Sequence, residues 1–137
     1  MATNAFSDDM ENDILQRYLK NVTTVITSTP AAAVYVGLGT AGSDASITEP
    51  AANRGYTRQA LVMGTPAAGS VTGPTAAVTF GTCTGTAWGD ISHFGIFDAT
   101  STTTFKMLFW GALGSTVNIA VNDRFEFAAG AVTIALD

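Results

Sequence analysis

Residues 88–99, WGDISHFGIFDA, hold the chain's single histidine, His93, with Asp90 and Asp98 on either side and the single cysteine, Cys83, ten residues upstream. A thiol and an imidazole are the working parts of a cysteine hydrolase, in which the ring takes the thiol proton and a third polar group orients the ring. The spacing does not supply that third group. In an extended strand His93 shares a face with Ile91, Gly95 and Phe97, whereas Asp90 falls on the other face with Ser92, Phe94 and Ile96. A Cys83–His93 dyad across two neighbouring strands stays open as a remote alternative, but neither residue has the flanking motif of a known cysteine hydrolase. His93 therefore reads as a structural histidine that acts through packing and a hydrogen bond, and no catalytic residue is assigned.

The remaining polar clusters read the same way. In SDDMEND (7–13) the acids lie on one polar helix face with no glycine turn, unlike a calcium loop with alternating oxygen ligands, so a solvated or partner-facing surface is expected. One cysteine forms no internal disulfide, and it has no Cys or His companions at zinc-site spacing. No glycine-rich phosphate loop runs into Lys and Ser or Thr. No metal and no cofactor are expected. Glu49, Arg54 and Arg58 flank a long loop, where they could pair with one another or with a neighbouring chain; an ordinary surface role is the expectation, since exposed ion pairs contribute little.

Composition narrows the class. The 137 residues are 47% hydrophobic and only 12% charged, with a net charge of −5. An acidic chain without clustered Arg, Lys and aromatic residues has no field for a phosphate backbone, so direct nucleic-acid binding is not expected. The N-terminal residues lack the basic start and apolar run of a signal peptide, and no window reaches the roughly 18 apolar residues of a membrane span. The expectation is a soluble protein made in the cytoplasm, folding as a single domain over residues 1–137.

The elements that would position these residues have two periods. Phe6, Met10, Ile14, Tyr18 and Val22 recur at four-residue steps with Leu15 and Leu19 beside them, which predicts an amphipathic helix over about residues 4–22. Thr3 or Asn4 would cap it, with Asp8 and Asp9 near the positive end of its dipole and Lys20 near the other. After Pro30 short β-rich runs alternate with Gly, Pro, Ser, Asn and Asp. They are 33–38, 56–63, 75–80, 90–98, 104–113, 116–121, 124–127 and 131–136, separated by loops that include an exposed one at 39–55 and a second at 64–74. About eight short strands without intervening helices predict an all-β fold, an antiparallel β-sandwich or jelly roll with one N-terminal helix. In TFKMLFWGAL (104–113) both faces are apolar, with Phe105, Met107 and Phe109 on one and Leu108 and Trp110 on the other. That predicts a strand covered on both faces, by the helix, a long loop or another subunit.

The order of motifs then points to a family. NAFSDDMENDIL, VYVGLGT, TEP leading into GYTRQAL, VTF, AWGDISHFGIFDA, GAL and the closing AVTIALD together resemble a family of small virion proteins of tailed bacteriophages, often labelled tail fibre protein. The resemblance covers almost the whole chain, and GYTRQ (55–59) and WGDISHFGIFDA (88–99) are its most specific pieces. It is also similar to the small β-proteins that act as head decoration, or cement, proteins on phage capsids. What the resemblance implies is a structural virion protein. The chain lacks the repeats or coiled coil of a long fibre shaft, and two loops suit bridging between subunits. The leading expectation is therefore a capsid decoration protein on the virion surface that binds the major capsid protein and itself, as a homo-oligomer, by multivalent contacts. The alternative is a tail fibre or receptor-binding module whose partners are tail proteins or a host receptor. The residues expected at such an interface are Phe6, Met10 and Tyr18 of the helix, Glu49, Arg54, Tyr56 and Arg58 around the long loop, and Trp110.

Overall fold

The computed structural model describes residues 4–19 and 33–135. The chain begins with a short strand β1 (Asn4–Phe6) and an 11-residue helix α1 (Asp8–Tyr18). Strands β2 (Val34–Gly39), β3 (Gln59–Leu61), β4 (Ser70–Gly73), β5 (Val78–Thr79) and β6 (Gly89–Phe97) follow, then β7 (Met107–Ile119), β8 (Glu126–Phe127) and β9 (Val132–Ala135). All the pairings are antiparallel. A five-stranded sheet in the order β1-β7-β6-β2-β3 faces two two-stranded ribbons, β4-β9 and β5-β8. Between them lies the core of Val36, Leu38, Ile91, Phe94 and Ile96 from the sheet and Val78, Phe127 and Val132 from the ribbons. This is the predicted sandwich-like all-β class with one N-terminal helix.

The predicted helix start is corrected. Asn4–Phe6 pair with Gly111, Trp110 and Phe109 of β7, so their backbone groups belong to a sheet ladder and Phe6 is a strand residue. Ser7, not Thr3 or Asn4, is the cap: its Oγ accepts from the Met10 N–H at 3.3 Å and its hydroxyl donates to the Met107 carbonyl. Asp8, Asp9 and Glu11 occupy the first turn, where the helix dipole favours negative charge. Thr3 and the predicted last turn, Lys20–Val22, lie outside the described residues. Helix α1 packs against β7, aided by a 2.8 Å ion pair between Asp13 and Lys106. With the Lys106 side chain 39% exposed, that pair adds little stability.

Four strand predictions also change. Ser70–Gly73, expected as loop, form β4 because Val132–Ala135 supply a partner ladder from the far end of the chain. The runs 104–113 and 116–121 form one 13-residue strand, β7. Its pairing with β6 skips from Val117 opposite Ile91 to Ala112 opposite His93, so a bulge at 113–116 absorbs extra residues without ending the strand. That irregularity moves one residue of the predicted pattern: Ile91, expected beside His93, joins Phe94 and Ile96 in the core, while His93 keeps its predicted place on the face opposite them. A second irregularity beside Phe97 breaks the expected Met107/Phe109 alternation, so that neighbouring Leu108 and Phe109 both pack against the core.

Candidate functional site

The chemistry-bearing side chains converge at the end of β2. The register pairs Val36 with Gln59, and two residues further along the partner strand β3 has diverged. The Tyr56 hydroxyl takes its place, accepting the Leu38 N–H at 2.8 Å, so a backbone donor at the strand edge finds a side-chain partner. The Tyr56 ring is buried against Phe80 and edge-on to Trp88, at centroid distances of 6.0 and 5.5 Å. Its O–H donates to Glu49 Oε1 at 2.6 Å.

Glu49 is held from the other side by Arg58. Nε donates to Oε1 at 3.0 Å and Nη2 to Oε2 at 2.6 Å, the two-pronged geometry that suits guanidinium and carboxylate. The third arm, Nη1, donates to the carbonyls of Ala99 and Ser101 at 3.0 and 2.8 Å. The guanidinium is sandwiched between two rings, with its central carbon 3.5 Å from the Phe97 centroid and 4.1 Å from that of Phe105. Each such contact is worth up to about 2 kcal/mol when water is excluded. The Arg58 side chain is 0% exposed and that of Glu49 12%. The expected ordinary surface role of Glu49 and Arg58 is therefore corrected: they form a largely buried ion pair bound through several hydrogen bonds. Each group enters the interior with its hydrogen-bond partners already in place, which offsets the cost of taking it out of water.

Glycine makes the room. A Cβ on Gly37 would lie 2.5 Å from Glu49 Oε1 and 2.9 Å from both the Tyr56 hydroxyl and the Phe97 ring. Burial above all, and then the Glu49 charge and hydrogen bond, push the Tyr56 phenol above its ordinary range, so it is a neutral donor. Beside this cluster, residues 49–52, 56–58 and 100–102 line an open recess of about 740 Å³.

The other predicted residues are distributed elsewhere. Arg54 sits in a 3-10 turn, with its Nη1 on the Ala87 carbonyl at 3.0 Å and its own carbonyl accepting from the Trp88 indole at 2.8 Å. Phe6 packs on Phe109 with centroids 4.5 Å apart. Met10 is half-buried in α1, and Tyr18 is the last residue of that helix. Trp110 lies on the sheet face opposite the core and stacks on His93 at 6.0 Å; its indole nitrogen is buried with no partner among the described residues. His93 Nδ1 is 2.8 Å from Ser92 Oγ, and Asp90 instead accepts from the Asn118 amide at 2.7 Å. Cys83 is wholly buried in the core and its thiol donates to the Thr86 carbonyl at 3.3 Å. Thiol and imidazole thus lie on opposite sides of β6, and the geometry does not bring them together. Among the described residues no group of three or more His, Cys, Asp or Glu is arranged to hold a metal ion, and no helix is long and apolar enough to cross a membrane.

Glu49, Tyr56 and Arg58 are the functional-looking residues that sequence reasoning named and the fold unites. Gly37, Phe97 and Phe105 were missed as their partners. The one available signal was Gly37 itself, a glycine inside an apolar strand, which often marks close approach of another group.

The motifs that meet here are TEP, GYTRQ, VYVGL and the FDA end of WGDISHFGIFDA, which are the pieces that carried the phage resemblance. A family model described as podophage GP4 fiber I protein gp80 matches residues 5–135. The chain belongs to that family. It is thus a member of a structural virion protein family of tailed phages. No curated protein matches the chain.

Proposed function

We propose that this member of the gp80 family is a non-enzymatic fibre subunit of a podophage particle, a rigid β-domain that acts through assembly and surface contact. The carrying observation is the fate of its motif residues: Glu49, Tyr56 and Arg58 spend their hydrogen bonds on one another and on the carbonyls of Ala99 and Ser101. Groups committed in this way hold loops in place and are not poised to react with a substrate. The description of the family as a fibre protein supports the same reading.

A capsid decoration role is the second reading, and it drew on two long loops reaching between subunits. The first loop is closed on itself by the Thr40 and Thr48 backbone bonds and anchored to Arg58 through Glu49, and the second contains β4. Loops so engaged have less reach, which favours the fibre. Self-association and contact with other virion proteins belong to this proposal, with Leu15 of α1 and Leu19, the residue that caps its C-terminus, both exposed, as apolar surface for it. Mass spectrometry of separated heads and tails tests the assignment. The expected result is recovery with tails and fibres; recovery with heads alone would overturn it in favour of decoration.

A further inference from the structure

We propose that the recess beside the Glu49–Arg58 pair is a binding site for neutral saccharides, one or a few sugar rings of a surface polysaccharide. This deepens the fibre reading and rests on it. At about 740 Å³ the recess falls within the usual range for small-ligand sites. Its walls are two loops that Arg58 ties together, since one guanidinium binds Glu49 on the first and the Ala99 and Ser101 carbonyls on the second. Walls fixed before binding leave little ordering to be done when a ligand enters.

The lining selects the ligand chemistry. Arg58 is fully buried and Glu49 is neutralised by it, so the recess offers no free positive charge for a phosphate or a sulfate and no acidic cluster for a cation. What it does offer is hydroxyls beside small apolar surface. Thr100 and Thr102 are exposed, and their hydroxyls form no hydrogen bond among the described residues; Thr57 Oγ1 accepts from Gln59 and keeps its own hydrogen to donate. Ala51 and Ala52 are exposed next to them. A pyranose has the matching character, with C–H faces for the alanines and hydroxyls for the threonines. An extended peptide would want an unpaired strand edge for its backbone, and the segments that line this recess are loops.

The test is saturation-transfer NMR on the full-length protein with a panel of neutral hexoses, deoxyhexoses and N-acetylhexosamines, free and as short oligosaccharides. Wild type should transfer saturation to the ring C–H protons of some of them. Ala52→Trp, which fills the recess from an exposed position without touching the ion pair, should weaken that binding at least about tenfold, roughly the loss of one good contact. Thr102→Val should weaken it too, and unchanged melting temperatures in both variants would confine the effect to the recess. Absence of transfer from the whole panel, or equal transfer in wild type and Ala52→Trp, overturns the proposal. If the panel fails while the protein is recovered with tails, the fibre reading stands and this site falls; if sugars bind but the protein is recovered only with heads, the reverse holds.

Discussion

Replacing Arg58 by Met keeps an unbranched side chain between Phe97 and Phe105 but removes every charge-assisted hydrogen bond to Glu49. The carboxylate, 12% exposed, is then left with the Tyr56 hydroxyl alone. Breaking a buried pair from one side typically costs about 3–5 kcal/mol, because the surviving charge is neither solvated nor neutralised. The Ala99 and Ser101 carbonyls lie nearer the surface and can turn to water, so they add little. At this chain length each kcal/mol corresponds to roughly 3–4 °C, which predicts a fall in melting temperature of about 10–20 °C. Urea unfolding followed by the fluorescence of Trp88, buried edge-on to Tyr56, reads the loss at a fixed protein concentration. Glu49→Gln should cost less, since the guanidinium keeps two carbonyls and two aromatic faces. The double variant should be no worse than Arg58→Met alone, a coupling of about 1–3 kcal/mol. A cost below about 1 kcal/mol for Arg58→Met, the figure for an exposed pair, together with zero coupling, would refute the buried Glu49–Arg58 pair.

Gly37→Ala should destabilise by about 1–3 kcal/mol through overpacking against Glu49 and Tyr56, whereas Gly114→Ala, where a Cβ meets nothing within 4 Å, should change stability by less than about 0.5 kcal/mol; chemical denaturation of the two variants gives the comparison. The raised Tyr56 pKa sets an alkaline limit. The native state keeps a proton that the unfolded chain releases above pH of about 10, so this contribution is intact below that pH and falls by about 1.4 kcal/mol per further pH unit. Tyr56 phenolate absorbance should therefore appear together with unfolding; its appearance in the native protein near pH 10 would contradict the burial. The Cys83 thiol should react with a disulfide reagent only at the rate of unfolding, because it is 0% exposed, and rapid labelling in native buffer would show that the core is open there.

How much of this was legible in the sequence depends on how local each cause is. The four-residue period of Met10, Ile14 and Tyr18 is a local signal, and α1 follows it. Its start was misplaced because Asn4–Phe6 are claimed by β7, a partner some hundred residues away. Strand β6 was visible because its apolar run is bounded by Gly89 and Asp98. Strand β4 was not, since its Gly- and Ser-rich sequence reads as turn until β9 is laid beside it. Gly114 and Ser115 likewise look like a break between strands, and only the β6 partner shows that they are a bulge within one. For the candidate site, Glu49, Tyr56 and Arg58 stood out by type and position, but their burial did not. Charged residues beside a long loop are usually exposed, and the Phe97–Phe105 sandwich that encloses Arg58 is assembled from a different part of the chain.

The vacancy at Gly37 has a consequence for how the sheet is assembled. Neighbouring positions of β2 carry Val36 and Leu38, both large and both turned into the core. A one-residue slip of β2 along β6 would exchange the two faces, turning those side chains toward the Glu49 carboxylate and filling the gap that Gly37 leaves for it. The slipped sheet would still form its backbone ladder, yet it would exclude the carboxylate and strand Arg58 without its counterion. Position 37 thus acts as a register key: the sheet closes over its charges in one alignment, and misaligned chains are penalised before they can be built into a particle.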